Sequence, residues 1–239
     1  MKGKMIETQA KIFLASERGL TESDWFRTYN MFNTGCYISP HKESFGSLYM
    51  LNEETLAPGR RLTTEVDEDA YLLLVPVVGG VQCSGTGHPA RQVEAGEVLI
   101  WPAEKNSILR IHNPYDELVQ FIQIGIKPDN GPLQNRVQQY PPGLISDEMS
   151  RIGEKEESKW PFVTGLGKYK GRSEDSCRLA PDRSLFVYVI QGAFEVQSRL
   201  LHAGDGLALW DCTDVEWEAL SNDAIILLVE LQKFKSSKV

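Results

Sequence analysis

The sequence predicts an all-β protein made of two similar barrels packed together. Three observations carry that expectation. Apolar runs are short and strand-like, helical periodicity is almost absent, and the two halves of the chain share an internal repeat.

The strand-like runs are Ala70–Val78, Val98–Trp101, Leu118–Ile126, Leu185–Ile190 and Ala224–Val229, rich in β-branched or aromatic residues and bounded by Gly, Pro, Asn and Asp. Val119, Phe121, Ile122, Ile124 and Ile126, set among Gln120 and Gln123, show the alternation of a half-buried strand. Short strands with regular turn signals point to a sandwich or barrel. In the repeat, Leu74–Gln82 leads to Val93–Trp101 in the first half, and Val187–Glu195 leads to Leu201–Trp210 in the second. Each unit reads as apolar strand, glycine turn, short strand, Ala-Gly-acidic, apolar strand. The offset of roughly 110 residues is the size of a duplicated domain. An N-terminal barrel is expected over 1–130 and a C-terminal barrel over 161–239. The intervening 131–160, rich in Pro, Gly and charge, reads as a linker, with a short helix expected within Ile145–Glu157.

Composition narrows the function classes. The 239 residues are 41% apolar and 24% charged, enough for a sizeable core without disulfides or a structural metal. A net charge of −8 and scattered Lys and Arg argue against direct contact with a phosphate backbone. No apolar run reaches the ~20 residues of a membrane helix, and the charged start, Met1-Lys-Gly-Lys, is no secretory signal, so a cytoplasmic protein is expected. Cys36, Cys83, Cys177 and Cys212 lie far apart without CxxC spacing and read as reduced thiols.

Arg18-Gly19, Trp25, Phe32-Asn33, Phe45-Gly46, Leu48, Leu51-Asn52-Glu53 and Leu56-Ala-Pro-Gly59 fall in an order and spacing that resembles the pirin family. Gly171 to Leu231 resembles the C-terminal barrel of bacterial pirin-like proteins, including quercetinases. The resemblance implies a bicupin of two cupin barrels. It also implies an iron-type metal ion in the first barrel, held by a His-x-His pair and a His-x-Glu pair and open to substrate and dioxygen. Residues i and i+2 of a strand share a face, so two such pairs can close around one ion.

In this chain those positions fall on Glu65, Asp67, Leu109 and Ile111, counted from Gly59, Gly96 and Pro102 with Asn113 holding the register. Two are aliphatic and cannot ligate, so no metal cofactor is expected; the alternative is a divalent cation weakly bound by oxygen ligands. His112, next to Ile111, should face the other way, and His41, His88 and His202 fall in loops or turns. Glu65 and Asp67 are expected to project into the barrel with Thr63. They read either as a group that binds a polar or cationic ligand, with a general base among them, or as a solvated acidic lip. Tyr71, Trp101, Leu109 and Ile111, with Phe32, either line a cavity for a flat apolar ligand or fill a small barrel, the latter preferred. The second half shows no cluster of ligating residues, and its role reads as structural. Gly165-Leu-Gly167 and Gly85-Thr-Gly87 read as turn glycines, and no nucleophile elbow, phosphate loop or dinucleotide fingerprint is present.

Three functions are therefore expected in order of preference. The first is a non-redox protein that binds a small apolar or aromatic molecule or a protein partner, with a regulatory role. The second is a quercetinase-type dioxygenase with an altered metal site. The third is cofactor-free acid–base chemistry on Glu65 or Asp67.

Overall fold

The computed structural model describes residues 8–35, 37–129, 131–134, 136–141, 144, 146–153 and 160–233. Cys36 and most of the charged stretch of the expected linker, 154–159, lie outside the described residues. Contacts divide the chain into two units, Arg18–Gly143 and a second that joins Met1–Glu17 to Leu144–Val239. Strand β1 (Gln9–Phe13) opens the described chain. The first unit then runs through β2 (Gly19–Glu22), β3 (Phe26–Asn30), β4 (Leu48–Leu56), β5 (Arg61–Glu65), β6 (Ala70–Val78), β7 (Val81–Gly85), β8 (His88–Val93), β9 (Val98–Ala103), β10 (Ile108–His112), β11 (Val119–Ile126) and β12 (Gln138–Tyr140). The second follows with β13 (Glu148–Ile152), β14 (Phe162–Tyr169), β15 (Glu174–Arg178), β16 (Arg183–Gln191), β17 (Ala193–Val196), β18 (Arg199–His202), β19 (Gly206–Trp210), β20 (Asp214–Ala219) and β21 (Ala224–Gln232). The described residues contain no α-helix, only a 3-10 turn at Ala15–Glu17. None of their helices is long and apolar enough to cross a membrane.

The repeat read from the sequence is the middle of a larger one. In the first unit the sheets run β12-β9-β6-β11-β4-β3-β2 and β5-β10-β7-β8; in the second they run β1-β19-β16-β21-β14-β13 and β15-β20-β17-β18. Eight consecutive strands, β4 to β11, thus recur in the same order of pairing as β14 to β21. The named strands pair antiparallel, as β11 with β6 and β16 with β21, so each barrel keeps one face of these strands for its own core.

Each core is filled from the inward alternation of its strands. Leu72, Leu74, Leu99, Trp101, Leu109, Ile111, Val119 and Phe121 belong to the first. Val187, Val189, Phe194, Leu207, Leu209, Trp217, Ile226 and Leu228 belong to the second. Asn113 ties the foot of the first barrel. Its Nδ2 donates to the carbonyls of Leu56 and Glu117 at 3.0 and 2.8 Å, and its Oδ1 accepts from the Tyr115 N–H at 2.9 Å. A fully buried asparagine is tolerated only when its amide is paired in this way.

Three expectations change. The segment before Arg18 does not belong to the N-terminal barrel. β1 pairs with β19 of the second unit, and Phe13 packs its ring against Phe186 at 5.7 Å. The reason is an open edge: β12 covers β9 in the first barrel, and β1 takes the equivalent edge of β19 in the second. Within the expected linker, β12 and β13 pair with their respective barrels, and Glu148–Ile152 is strand where a helix was expected. Met149 and Arg151 share one face there, Met149 against the second core and Arg151 in an ion pair with Glu230 at 2.7 Å. Finally, Gly165 and Gly167 lie inside β14 rather than in a turn. A Cβ at Gly165 would meet Met149 Sδ at 2.8 Å, so the glycine makes room for the β13 side chain.

Because β1 completes the second barrel, Phe13→Ala should destabilise residues 144–233 by about 3–5 kcal/mol, the usual cost of emptying a buried aromatic site. Hydrogen exchange checks this: amides of β19 should lose protection while those of β6 and β11 keep theirs.

Candidate functional site

Two hollows stand out. The larger, about 570 Å³, is the outer face of the small sheet of the second unit, where Glu174, Glu218 and Glu195 stand in register on β15, β20 and β17. It is shallow and acidic, and one of its carboxylates, Glu218, is paired with Arg172 at 3.0 Å. The other, about 420 Å³, is the mouth of the first barrel, and its walls are chemically mixed. Apolar Met50 and Leu72 and the phenol ring of Tyr49 form the sides, Gln123 faces in from β11, and Glu65, Asp67, Glu68 and Asp69 form the rim. A concave, partly apolar site with a few convergent polar groups is the usual form of a small-molecule pocket, so the mouth is the candidate.

The rim is held by specific contacts. Lys127 Nζ sits 2.7 Å from Glu68 Oε2, which holds that exposed carboxyl below its usual range. The backbone N–H of Lys105 donates to Asp69 Oδ1 at 2.8 Å. Tyr49 lies flat on Gly125, where any Cβ would fall 2.5 Å from the ring. Burial, and then the charges of Glu68 and Asp67, push the Tyr49 phenol up to about 12, so it remains a hydroxyl donor below the rim.

Glu65 and Asp67 line this mouth but do not project into the barrel as expected. Leu109 pairs with Thr64 and Ile111 with Leu62, which sets the inward phase of β5. That phase carries on to Val66, which joins the core, and leaves Glu65 and Asp67 exposed on either side of it. Tyr71 also departs from the cavity reading. It faces away from Ala70 and Leu72, and its hydroxyl accepts the Gln134 N–H at 3.0 Å. Phe32 is buried but stands outside the first core cluster. Trp101, Leu109 and Ile111 lie inside that cluster, not in the cavity wall, with Trp101 packed edge-on against His88 at 5.1 Å. His112 pairs with Arg61 on the strand face opposite Ile111. The thiols of Cys83, Cys177 and Cys212 are free, and burial pushes that of Cys83 well up.

Below the cavity is a group that the sequence reading passed over. On β4, Met50, Asn52, Glu54 and Leu56 alternate inward, from the cavity wall down to the core. Glu54 is 5% exposed. Burial pushes its carboxyl up to about 8, and a hydrogen bond from Asn52 draws it part of the way back. A glutamate inside Leu-Asn-Glu-Glu-Thr gives one signal only, its even spacing from Met50 and Leu56.

The comparisons agree with this architecture. Residues 166–231 match the model of the quercetinase C-terminal cupin domain. The quercetin 2,3-dioxygenase of Escherichia coli K12 is 23% identical over 227 residues, covering 89% of this chain and 95% of that protein. A putative quercetin 2,3-dioxygenase of Pasteurella multocida is 25% identical over 230 residues, covering 91% and 97%. Among solved structures, YhhW from Escherichia coli superposes with a TM-score of 0.84 at 20% identity, covering 95% of this chain and 99% of that one. The bacterial pirin YhhW in complex with nickel(II) gives 0.82, also at 20%. The fold is therefore that of bacterial pirins, two cupin barrels in one chain. The four positions that the pirin resemblance assigns to a metal do not fit one here: Leu109 and Ile111 are hydrocarbon in the core, and Glu65 and Asp67 straddle an inward valine. Among the described residues no group of three or more His, Cys, Asp and Glu is arranged to hold a metal ion.

Two outcomes follow. Leu109→Ala should cost about 2–5 kcal/mol in urea unfolding, whereas the double change Glu65→Gln, Asp67→Asn should move it by no more than about 0.5 kcal/mol. The second concerns pH. The Glu54 carboxyl is raised in the folded chain above its unfolded value of 4.5. Its contribution to stability is therefore fully present below about pH 4.5 and is lost as pH rises through about 8. Glu54→Gln should match the parent at pH 4.5 and exceed it progressively up to pH 8, by on the order of 4 kcal/mol at the plateau, read from unfolding midpoints across pH.

Proposed function

We propose that this pirin-like bicupin binds a small, non-anionic molecule in the mouth of its N-terminal barrel, without the metal chemistry of its relatives. The observation that carries the reading is the pairing of a part-apolar cavity of about 420 Å³ with Leu109 and Ile111 packed into the core below it. The cavity falls within the range that takes small ligands. Met50, Leu72 and the Tyr49 ring suit an apolar or aromatic body, and Gln123 and the Tyr49 hydroxyl supply orienting hydrogen bonds. The four rim carboxylates repel anions, so carboxylate and phosphate compounds are disfavoured.

A second reading, oxidation of a flavonol by dioxygen, is favoured by the names of the relatives, quercetin 2,3-dioxygenases. One experiment separates the two. Protein purified without a metal-chelating tag is analysed for iron, nickel, copper and manganese, then mixed with quercetin in air while binding and oxygen uptake are followed. The expected result is metal well below one equivalent, quenching of tryptophan fluorescence that survives a chelator, and no oxygen uptake. Near-stoichiometric metal with oxygen uptake that the chelator abolishes would establish the oxidase reading instead.

A further inference from the structure

The interior of the first barrel is apolar in its lower half and polar just under the cavity. Five polar residues face in there: Thr28 and Asn30 from β3, Asn52 and Glu54 from β4, and Gln123 from β11, each of them 8% exposed or less. Register places them together. Thr28 pairs with Glu54, Asn30 with Asn52, and Asn52 with Gln123 on its other side. Phe26, Leu56 and Phe121 close the space beneath. Small barrels are ordinarily filled by apolar side chains, so a polar tier at this depth calls for a reason.

The hydrogen bonds within the tier run one way and then stop. Asn30 Nδ2 donates to Asn52 Oδ1 at 3.0 Å. That bond fixes the Asn52 amide, so its Nδ2 is the end turned to Glu54, the hydrogen bond that draws on the Glu54 carboxyl. Beyond it, Glu54 Oε2 and Thr28 Oγ1 are buried and have no hydrogen-bond partner. Two register partners on adjacent strands thus carry two unsatisfied polar atoms on the same inward face. Leaving each unpaired costs about 1–3 kcal/mol, so an occupant that bonds to both would be favoured there.

We propose that Glu54 and Thr28 form a recognition pair beneath the cavity that reads a hydroxyl group on a neutral ligand. The proposal rests on the small-molecule reading above and deepens it by naming the chemistry that selects the ligand. Gln123 and Met50, which line the cavity, are one and two inward positions above Glu54, while the pair itself lies below the cavity wall, so the ligand group has to extend past them to engage it. Kept protonated by its burial, Glu54 offers an O–H donor, and the Thr28 hydroxyl both donates and accepts. A ligand hydroxyl, which donates and accepts, satisfies the pair without bringing charge into the barrel, where an anion or an amine would be desolvated at high cost.

The test uses two probes that share a ring system: quercetin, with five hydroxyls, and flavone, with none. Both are titrated against the parent chain and against Glu54→Leu, Thr28→Val and Glu54→Gln by quenching of tryptophan fluorescence. The parent is expected to prefer quercetin by tenfold or more. Glu54→Leu and Thr28→Val should each lose about tenfold in quercetin affinity with flavone affinity unchanged, which a misfolded variant would not show. Glu54→Gln, which keeps a donor, should retain most of the preference. Variants that keep the parent's quercetin-to-flavone ratio would overturn the recognition pair while leaving the small-molecule reading intact. Failure of the parent to bind either probe would overturn both.

Discussion

Inward alternation is the constraint on which the rest of the first barrel depends. Each strand gives every second side chain to a closed interior, and that interior has to be filled or polar groups in it have to be paired. Leu109 and Ile111 on β10 obey the first condition, and the rows on β6, β9 and β11 pack with them into one cluster. Asn113 obeys the second with three hydrogen bonds at the barrel foot. With the lower interior closed by hydrocarbon, chemistry can reside only above it. There the register of β3, β4 and β11 gathers Thr28, Asn30, Asn52, Glu54 and Gln123 below an open mouth.

Much of this was legible in the residues. The strand runs and the repeat follow from periodicity and glycine turns, and both barrels contain them. Leu109 and Ile111 are aliphatic two positions apart on an amphipathic strand, so their inward face could be read directly, as could the opposite face of His112. Glu65 and Asp67 could not be placed by the same rule. Their phase is set by the pairing of β5 with β10, a non-local fact, and Val66 between them was the competing apolar candidate. Glu54 was hidden for a related reason: a carboxylate in a charged run reads as solvated, and only pairing with Thr28 and Phe121 shows that it is enclosed. β1 gave no local sign of its partner at all, because nothing in Gln9–Phe13 names β19.

Charge has an ordered distribution in both units. The net −8 of the chain is concentrated in part on the rim of the first barrel and on the outer sheet face of the second. Cations offset it locally, Lys127 at Glu68 and Arg172 at Glu218. Exposed pairs of this kind contribute little stability, so their effect falls on which molecules approach rather than on whether the chain folds. Inside the barrel the logic reverses: Glu54 has no cation in its hydrogen-bond chain, and burial favours its neutral form.

The pairing of β1 with β19 bears on how the chain is made. Residues 9–13 leave the ribosome about 200 residues before residues 206–210, so β1 emerges long before its partner exists. Meanwhile residues 18–143 can fold as a unit, since all their strand pairings lie within that segment. The N-terminal strand therefore waits with an unsatisfied edge through the synthesis of an entire barrel, and the second barrel closes only after translation has passed Trp210. A gene cut at the apparent midpoint would yield one complete barrel and one that lacks an edge strand.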